Sequence, residues 1–297
     1  MKRILSTILC ALLLAGCSSH TPSAQVAATT LPVYEFTTRL TDGTGITVTR
    51  LVTEEVSCLH DYSLNVRQVK AAEAADHIVI SGAGLEEFLD DILEDAAVID
   101  ASSGIELLIP EEGHDHEEEE DDGHHAHDGH DHEFDPHIWL SPSNAAIMCR
   151  NICEGLMQAY PEHAERFSAN LDVLTAELEQ LNDYGQNALS DLSCRDLITF
   201  HDGFSYLAHS FDLHILKAME EESGREASAK ELIHLIEEVE HHNLPAIFTE
   251  KSGSVSAASI IAQETGCESF TLDMAMAGDS YFDAMYHNID TIREALS

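Results

Sequence analysis

Runs of apolar and β-branched residues alternate with segments of helical spacing along most of the chain. Strands are predicted at residues 46–52, 77–81, 97–101, 196–200, 213–218, 246–249 and 269–272. Helices are predicted at residues 65–75, 85–93, 203–211, 228–242, 255–265 and 281–296. This alternation is typical of parallel sheets covered by helices, and it is interrupted once, between residues 101 and 196. The pattern therefore predicts an α/β protein with two Rossmann-like lobes.

The interruption contains two predicted helices. Ser141 followed by Pro142 is typical of a helix start, and this helix runs to about residue 159. A second helix is predicted at residues 162–192, where apolar side chains recur at three- and four-residue spacing. A helix of that length is expected to join the two lobes as a rigid spine.

The N-terminus has the pattern of a bacterial lipoprotein signal. Lys2 and Arg3 precede an apolar run at residues 4–14, which is shorter than the ~20 residues that span a bilayer. The small residues before Cys17 resemble a lipobox, in which the cysteine is acylated. We expect residues 1–16 to be a signal peptide, Cys17 the lipidation site and residues 17–28 a tether. The expected location is extracytoplasmic, on a bacterial membrane at the cell surface or in the periplasm.

The charge of the chain argues against nucleic acid as a partner, and one acidic segment rich in histidine points to metal ions. The chain has 14 Lys plus Arg against 55 Asp plus Glu, a formal net charge of −41, and a surface of that sign repels nucleic acid. Residues 111–135 contain seven histidines and thirteen carboxylates, with no Lys or Arg. Imidazole suits transition metals such as zinc, so this segment predicts a loop that binds several ions loosely. Its histidines are His114, His116, His124, His125, His127, His130 and His132.

Four further residues of metal-ligand type follow predicted strands. His60 and His137 belong to the first lobe, and His201 and Asp279 belong to the second. Because parallel sheets place ligands beyond the carboxyl ends of their strands, these four side chains are candidates for one cleft between the lobes. Three imidazoles and one carboxylate make a tetrahedral zinc set, and Mn²⁺ prefers a set richer in oxygen.

The chain resembles the metal-binding lipoproteins of zinc/manganese ABC importers, a group that also includes streptococcal-type adhesins. The resemblance runs from about residue 27 to the C-terminus. The stretches that carry it are His60-Asp61-Tyr62, residues 75–86, Asp135-Pro136-His137-Ile138-Trp139, Phe200-His201-Asp202-Gly203 and Gly278-Asp279-Ser280-Tyr281. It implies two α/β lobes joined by a rigid helix, with one metal ion in the cleft. It also places the ligands at the four positions selected above.

The resemblance predicts capture of Zn²⁺ and its delivery to an ABC permease, by a monomer that touches the membrane only through its lipid. The expected domains are residues 29–140 with the loop 111–135, connecting helices at 141–193, and residues 194–297. One alternative is a binding protein for manganese, or another divalent metal, of the same importer class, because Gly278-Asp279-Ser280-Tyr281 resembles the manganese type. The other is a surface adhesin lipoprotein, because the group that the chain resembles includes adhesins. His201, however, stands where that type has a carboxylate, which favours zinc.

Two further expectations concern chemistry at other positions. A catalytic zinc keeps three protein ligands and an open site, whereas Asp279 is available here as a fourth ligand and no HExxH motif is present. We therefore expect a binding protein and not an enzyme. An oxidising compartment permits disulfides, and Cys194 and Cys267, which each precede a strand of the second lobe, are the candidate pair.

Overall fold

A computed structural model describes residues 25–56, 59, 62–109, 134–219, 227–253 and 255–297 of the chain. Within these ranges, no helix is both long and apolar enough to cross a membrane. The signal peptide, Cys17, His60 and the seven histidines predicted to bind metal loosely lie outside the described residues.

Two parallel four-stranded sheets form the framework of the described residues. The strands are β1 (Val26–Ala28), β2 (Val48–Arg50), β3 (His77–Ile80), β4 (Val98–Asp100), β5 (Asp196–Thr199), β6 (His214–Ala218), β7 (Ala246–Glu250) and β8 (Glu268–Leu272). Their orders are β2-β1-β3-β4 and β6-β5-β7-β8. In the first sheet, β2 lies on one side of β1 and β3 lies on the other, so the strand order reverses between β1 and β3. Such a reversal is a topological switch point, where open α/β sheets bind ligands. The second sheet has its switch point between β5 and β7.

Helices cover these sheets and connect them. They are α1 (Leu31–Leu40), α2 (Val66–Ala74), α3 (Asp90–Leu93), α4 (Pro142–Ala159), α5 (Ala164–Ala188), α6 (Ser205–Ser210), α7 (Ala229–His242), α8 (Ser256–Thr265) and α9 (Tyr281–Leu296). The Ser141 side chain caps α4, and Gly266 ends α8 with a positive φ. Both helix ends lie where the sequence predicted them, because the Ser hydroxyl accepts from an otherwise unpaired backbone N–H and Gly adopts the left-handed region without strain.

The predicted fold class is confirmed, with one boundary displaced at the N-terminus. Residues 26–28 were expected to belong to the tether, but they form β1, a fully buried strand that pairs with both β2 and β3. α1 was not predicted either. A strand of three residues has too little length for a periodic signal, and its position in the centre of the sheet comes from pairing with distant strands.

The two sheets share one apolar cluster. It contains Val79 and Ile99 of the first sheet and Phe248 and Leu272 of the second, together with Trp139, which is fully buried. Side chains of α1, α4, α5 and α9 complete it. Two smaller clusters lie under the outer helices, one on the side of α2 and one between the second sheet and the α7–α8 pair. The shared cluster joins the lobes by packing, in addition to the covalent connection through α4 and α5.

The expected pairing of Cys194 with Cys267 is wrong. Both are free thiols in the structure. Cys194 precedes β5 and Cys267 precedes β8, and β7 lies between these strands in the sheet. Two strand spacings amount to about 10 Å, which exceeds the ~7 Å limit between the Cα atoms of a disulfide.

Glu86 fills the switch point of the first sheet. Its carboxylate accepts hydrogen bonds from the Thr29 hydroxyl (2.7 Å) and from the backbone N–H groups of Ser81 (2.7 Å) and Gly82 (3.0 Å). These donors follow β1 and β3, so one side chain ties the two strand ends together. The residue is 4% exposed, and its burial raises the pKa of the carboxyl group from the ordinary 4.5 to about 7.

We predict that Glu86→Gln changes how stability depends on pH. Between pH 4.5 and about 7 the folded protein holds the Glu86 proton and the unfolded chain releases it, so the Glu86 contribution to stability falls as pH rises. The variant lacks this contribution, which is on the order of 3 kcal/mol for a buried group with that shift. Urea unfolding at pH 5 and pH 7.5 should show wild type losing more stability than the variant. Glu87→Gln, at an exposed position, is the control and should keep the wild-type slope.

Candidate metal site

The predicted ligand His137 is held by a neighbouring carboxylate. His137 is 2% exposed and precedes the 3-10 turn Ile138–Leu140. Asp135 Oδ1 accepts the backbone N–H of His137 at 2.9 Å and lies 2.8 Å from its ring Nδ1. Since an ionised carboxylate only accepts, Nδ1 donates to Asp135 and the lone pair of the ring is on Nε2. Such a carboxylate partner orients a histidine for metal binding and raises its basicity.

Hydrogen bonds to both halves of the chain hold the segment that carries His137. The Tyr206 hydroxyl, on α6, donates to the Asp135 carbonyl at 3.0 Å, while the Asp135 N–H donates to the Leu108 carbonyl at 2.8 Å. Further along, the Trp139 indole N–H donates to the Met274 carbonyl at 2.8 Å. His137 therefore lies at the junction of the two lobes.

The second predicted ligand, His201, faces His137 across this junction. It follows β5 by two residues, and its ring centroid lies 5.2 Å from that of His137, with the two rings at 81°. Gly203 makes this approach possible. A Cβ atom at that position would lie 2.7 Å from His201 Cδ2 and 2.9 Å from His137 Nδ1, distances at which one ring has to move.

A second carboxylate lies beside His201. Glu250 is the last residue of β7, is 3% exposed, and has its Oε2 atom 3.7 Å from His201 Nδ1. That separation is longer than a hydrogen bond but short enough for strong electrostatic interaction in a buried site. β5 and β7 flank the switch point of the second sheet, which explains the proximity. The residue was missed in the sequence, although the rule that selected His201 also applies to Glu250, which directly follows the predicted strand 246–249.

A narrow pocket adjoins Glu250 between the lobes. Its lining comprises Glu55, Val56, Glu250, Lys251, Ser252, Asp273, Met274, Met276 and Ala277. Lys251 Nζ is 3.1 Å from Asp273 Oδ2 and 3.9 Å from Glu55 Oε1, and Glu55 belongs to the first lobe. The hydrogen bond that the Lys251 ammonium group donates to Asp273 raises the pKa of this group, and the charges of Asp273, Glu55 and Asp279 add to this effect. The pocket is therefore bordered by acidic side chains of both lobes and one lysine.

The structure brings two of the four predicted ligands together. Asp279 lies exposed in the turn between β8 and α9, and His60 is outside the described residues. In the part of the chain that is described, no three His, Cys, Asp or Glu side chains are close enough to hold a metal ion. The described half of the candidate site is accordingly the His137–His201 pair with Asp135 and Glu250 behind the two rings.

Comparison with known proteins gives a family match over nearly the whole described chain. The model of the periplasmic zinc-uptake complex component A, ZnuA, matches residues 26–295. The zinc-binding protein AdcA of Streptococcus pyogenes serotype M3 (strain ATCC BAA-595 / MGAS315) is 32% identical over 288 residues, which cover 91% of this chain and 55% of AdcA. The zinc-binding lipoprotein AdcA of Streptococcus pneumoniae (strain ATCC BAA-255 / R6) is 30% identical over 311 residues, covering 99% and 61%. The chain thus spans between half and two thirds of the length of these relatives.

Solved structures agree with the architecture. A crystal structure of ZnuA superposes with a TM-score of 0.76 at 27% identity, covering 92% of this chain and all of that one. A mutant structure of the laminin-binding adhesin Lmb from Streptococcus agalactiae gives a TM-score of 0.77 at 23% identity, covering 92% and 100%. The second likeness concerns the fold alone. The resemblance inferred from the sequence motifs, and the two-lobed fold it implied, are confirmed.

We predict that Glu250→Gln weakens zinc binding by about tenfold, the usual effect of losing a partner behind a metal-bound histidine. Gln keeps the shape of the side chain but removes the charge beside His201 Nδ1. Competition with a chelator at substoichiometric zinc measures the tightest site. Glu55→Gln is the matched control, since Glu55 lines the same pocket but has a side chain 63% exposed, where a charge contributes little. Equal effects of the two variants would contradict a specific role for Glu250.

Proposed function

The chain belongs to the family of the periplasmic zinc-uptake complex component A, and on that premise we propose that it captures Zn²⁺ outside the membrane and delivers it to the permease of an ABC importer. The observation that carries this proposal is the His137–His201 pair at the lobe junction, in which His137 is buried, His201 is partly buried and a carboxylate lies behind each ring. Relatives named as zinc-binding proteins support it.

The proposed ligands are His60, His137, His201 and Asp279. Asp135 and Glu250 stand behind the rings and are not counted among the ligands, because they interact with the Nδ1 atoms. Three nitrogens and one carboxylate oxygen suit zinc better than manganese, which favours oxygen-rich sets. Of the two metals considered from the sequence, zinc is therefore the proposed cargo.

Binding without catalysis is proposed because the four-ligand set leaves no open position on the metal. A zinc enzyme needs such a position for water or substrate. In a carrier, a closed set holds the ion until the partner opens the site. Zinc in this protein is thus a cargo that the permease receives, and hydrolytic turnover by the loaded protein is expected to be absent.

The proposed location is extracytoplasmic, with a lipid on Cys17 as the only attachment to the membrane. The name of the matching family places its members in the periplasm, and one relative is named a lipoprotein. The proposed partner is the membrane permease of the importer. Adhesion has no support of its own here, because the likeness to the laminin-binding adhesin is one of fold.

The test of this function is a zinc-dependent rise in melting temperature that requires His137. A metal that binds only the folded state stabilises it by about 4 kcal/mol at a thousandfold excess over Kd. Stoichiometric Zn²⁺ should therefore raise the melting temperature by several degrees, and His137→Ala should remove most of the rise. His163→Ala, at a histidine distant from the site on the turn Pro161–His163, is the control and should keep it. An equal rise in His137→Ala would refute the assignment of this ligand.

A second prediction concerns metal preference. His201→Glu leaves two imidazoles and two carboxylates, a set that suits Mn²⁺ better and Zn²⁺ less well. The ratio of zinc to manganese affinity should fall by at least about tenfold, although zinc should still bind more tightly than manganese, as the Irving–Williams order predicts. Competition titrations of both metals against the same chelator give this ratio. An unchanged ratio in a folded variant would remove His201 from the ligand set.

A further inference from the structure

The turn that carries Asp279 follows the second sheet, but residues 274–281 are held mainly by hydrogen bonds to the first half of the chain. The Leu31 N–H donates to the Met276 carbonyl at 3.3 Å, and the Trp139 indole to the Met274 carbonyl at 2.8 Å. At the far end of the turn, the Tyr281 hydroxyl donates back to the Trp139 carbonyl at 2.8 Å. These bonds span the whole turn.

Two charged side chains of the first lobe hold the residues on either side of Asp279. Arg50, at the end of β2, donates from Nη1 to the Gly278 carbonyl at 2.9 Å. Glu35, on α1, accepts the Tyr281 N–H at 2.6 Å. The two contacts bracket the ligand position, since Gly278 precedes Asp279 and Tyr281 follows it by two residues. Both bonds are partly buried, so water competes for them less than on an open surface.

Asp273 is the last residue before the turn whose hydrogen bonds connect it to the second lobe. Its backbone N–H and carbonyl bond to the side chain of Asn288, on α9, and its carboxylate accepts from Lys251, which follows β7. From Met274 onward the bonds described above run to the first lobe. The chain therefore passes from the second lobe to the first immediately after β8, six residues before Asp279.

We propose that Arg50 and Glu35 are positioning residues for Asp279: the first lobe fixes the turn that presents this carboxylate to the metal. This inference rests on the proposed function, in which Asp279 is a zinc ligand. His137 is anchored to the same lobe junction through Trp139, so Asp279 and His137 keep a constant relation to each other. His201, which follows β5, and Glu250, which ends β7, form the opposite wall of the site.

Whether loss of Arg50 weakens or tightens zinc binding distinguishes a positioning role from a purely electrostatic one. A guanidinium group near a metal site repels the cation, so loss of Arg50 should tighten zinc binding if charge alone mattered. If Arg50 instead holds the turn, its loss should weaken zinc binding although a repulsive charge has gone. Arg39 is a suitable control, because it also joins α1 to other helices, through Glu177 and the Phe282 ring, and both partners lie outside residues 278–281.

The experiment is a double-mutant cycle on the full chain. Zinc affinity of the tightest site is measured by chelator competition for wild type, Arg50→Met, Asp279→Ala and the double variant, with Arg39→Met in both backgrounds. We expect Arg50→Met to weaken zinc binding by about tenfold, but by less than about twofold when Asp279 is already Ala. Arg39→Met should change affinity by less than about twofold in either background. If Arg50→Met does not fold, Glu35→Ala takes its place in the cycle.

Three outcomes would overturn the inference: tighter zinc binding by Arg50→Met, the same loss with and without Asp279, or no loss in Asp279→Ala. Tighter binding would mean that Arg50 acts on the metal only through its charge. An equal loss with and without Asp279 would mean that Arg50 has a general structural role. No loss in Asp279→Ala would mean that Asp279 is not a zinc ligand. Each leaves the proposed function standing, provided that wild type binds zinc and His137→Ala does not. Absence of tight zinc binding by wild type would instead refute the function itself, along with the inference.

Discussion

The packing of both sheets into one apolar cluster is the constraint on which the rest of the molecule depends. Side chains of β3 and β4 meet those of β7 and β8 through the helices α1, α4, α5 and α9, with Trp139 fully buried among them. Buried apolar side chains are close-packed, so the two sheets cannot shift relative to each other without opening voids. The site between them is therefore built on a nearly fixed base, where the geometry of ligands from different lobes can be maintained.

The two switch points have different chemistry. In the first sheet, Glu86 occupies the strand ends and satisfies three hydrogen-bond donors, so that position is filled by the protein itself. In the second sheet, His201 and Glu250 occupy the equivalent position, and His201 faces His137. The consequence is an asymmetric site: the histidine from the first lobe arrives on the connecting segment, while the second lobe contributes directly from its strand ends.

A carboxylate lies behind each of the two histidine rings that are proposed as zinc ligands. Asp135 and Glu250 face the Nδ1 atoms, and both are almost completely buried. In such surroundings a charge is screened little, so each carboxylate strengthens the electron-donating character of its ring. Gly203 permits the two rings to approach each other, which relates a single glycine to the spacing of the two proposed ligands.

The sequence by itself determined the parallel α/β class, the division into two lobes, the ends of α4, α7 and α9, and the family, because periodicity, capping residues and short motifs are local properties. It also selected His137 and His201 as candidate ligands, His201 because it directly follows a predicted strand and His137 because it ends the histidine-rich segment. It did not reveal β1, the free state of Cys194 and Cys267, or the partners Glu250, Arg50 and Glu35. Those depend on which strands become neighbours and on which lobe holds the turn before α9. Such pairings join residues as far apart as Arg50 and Gly278, and only the shared packing of the two lobes decides them.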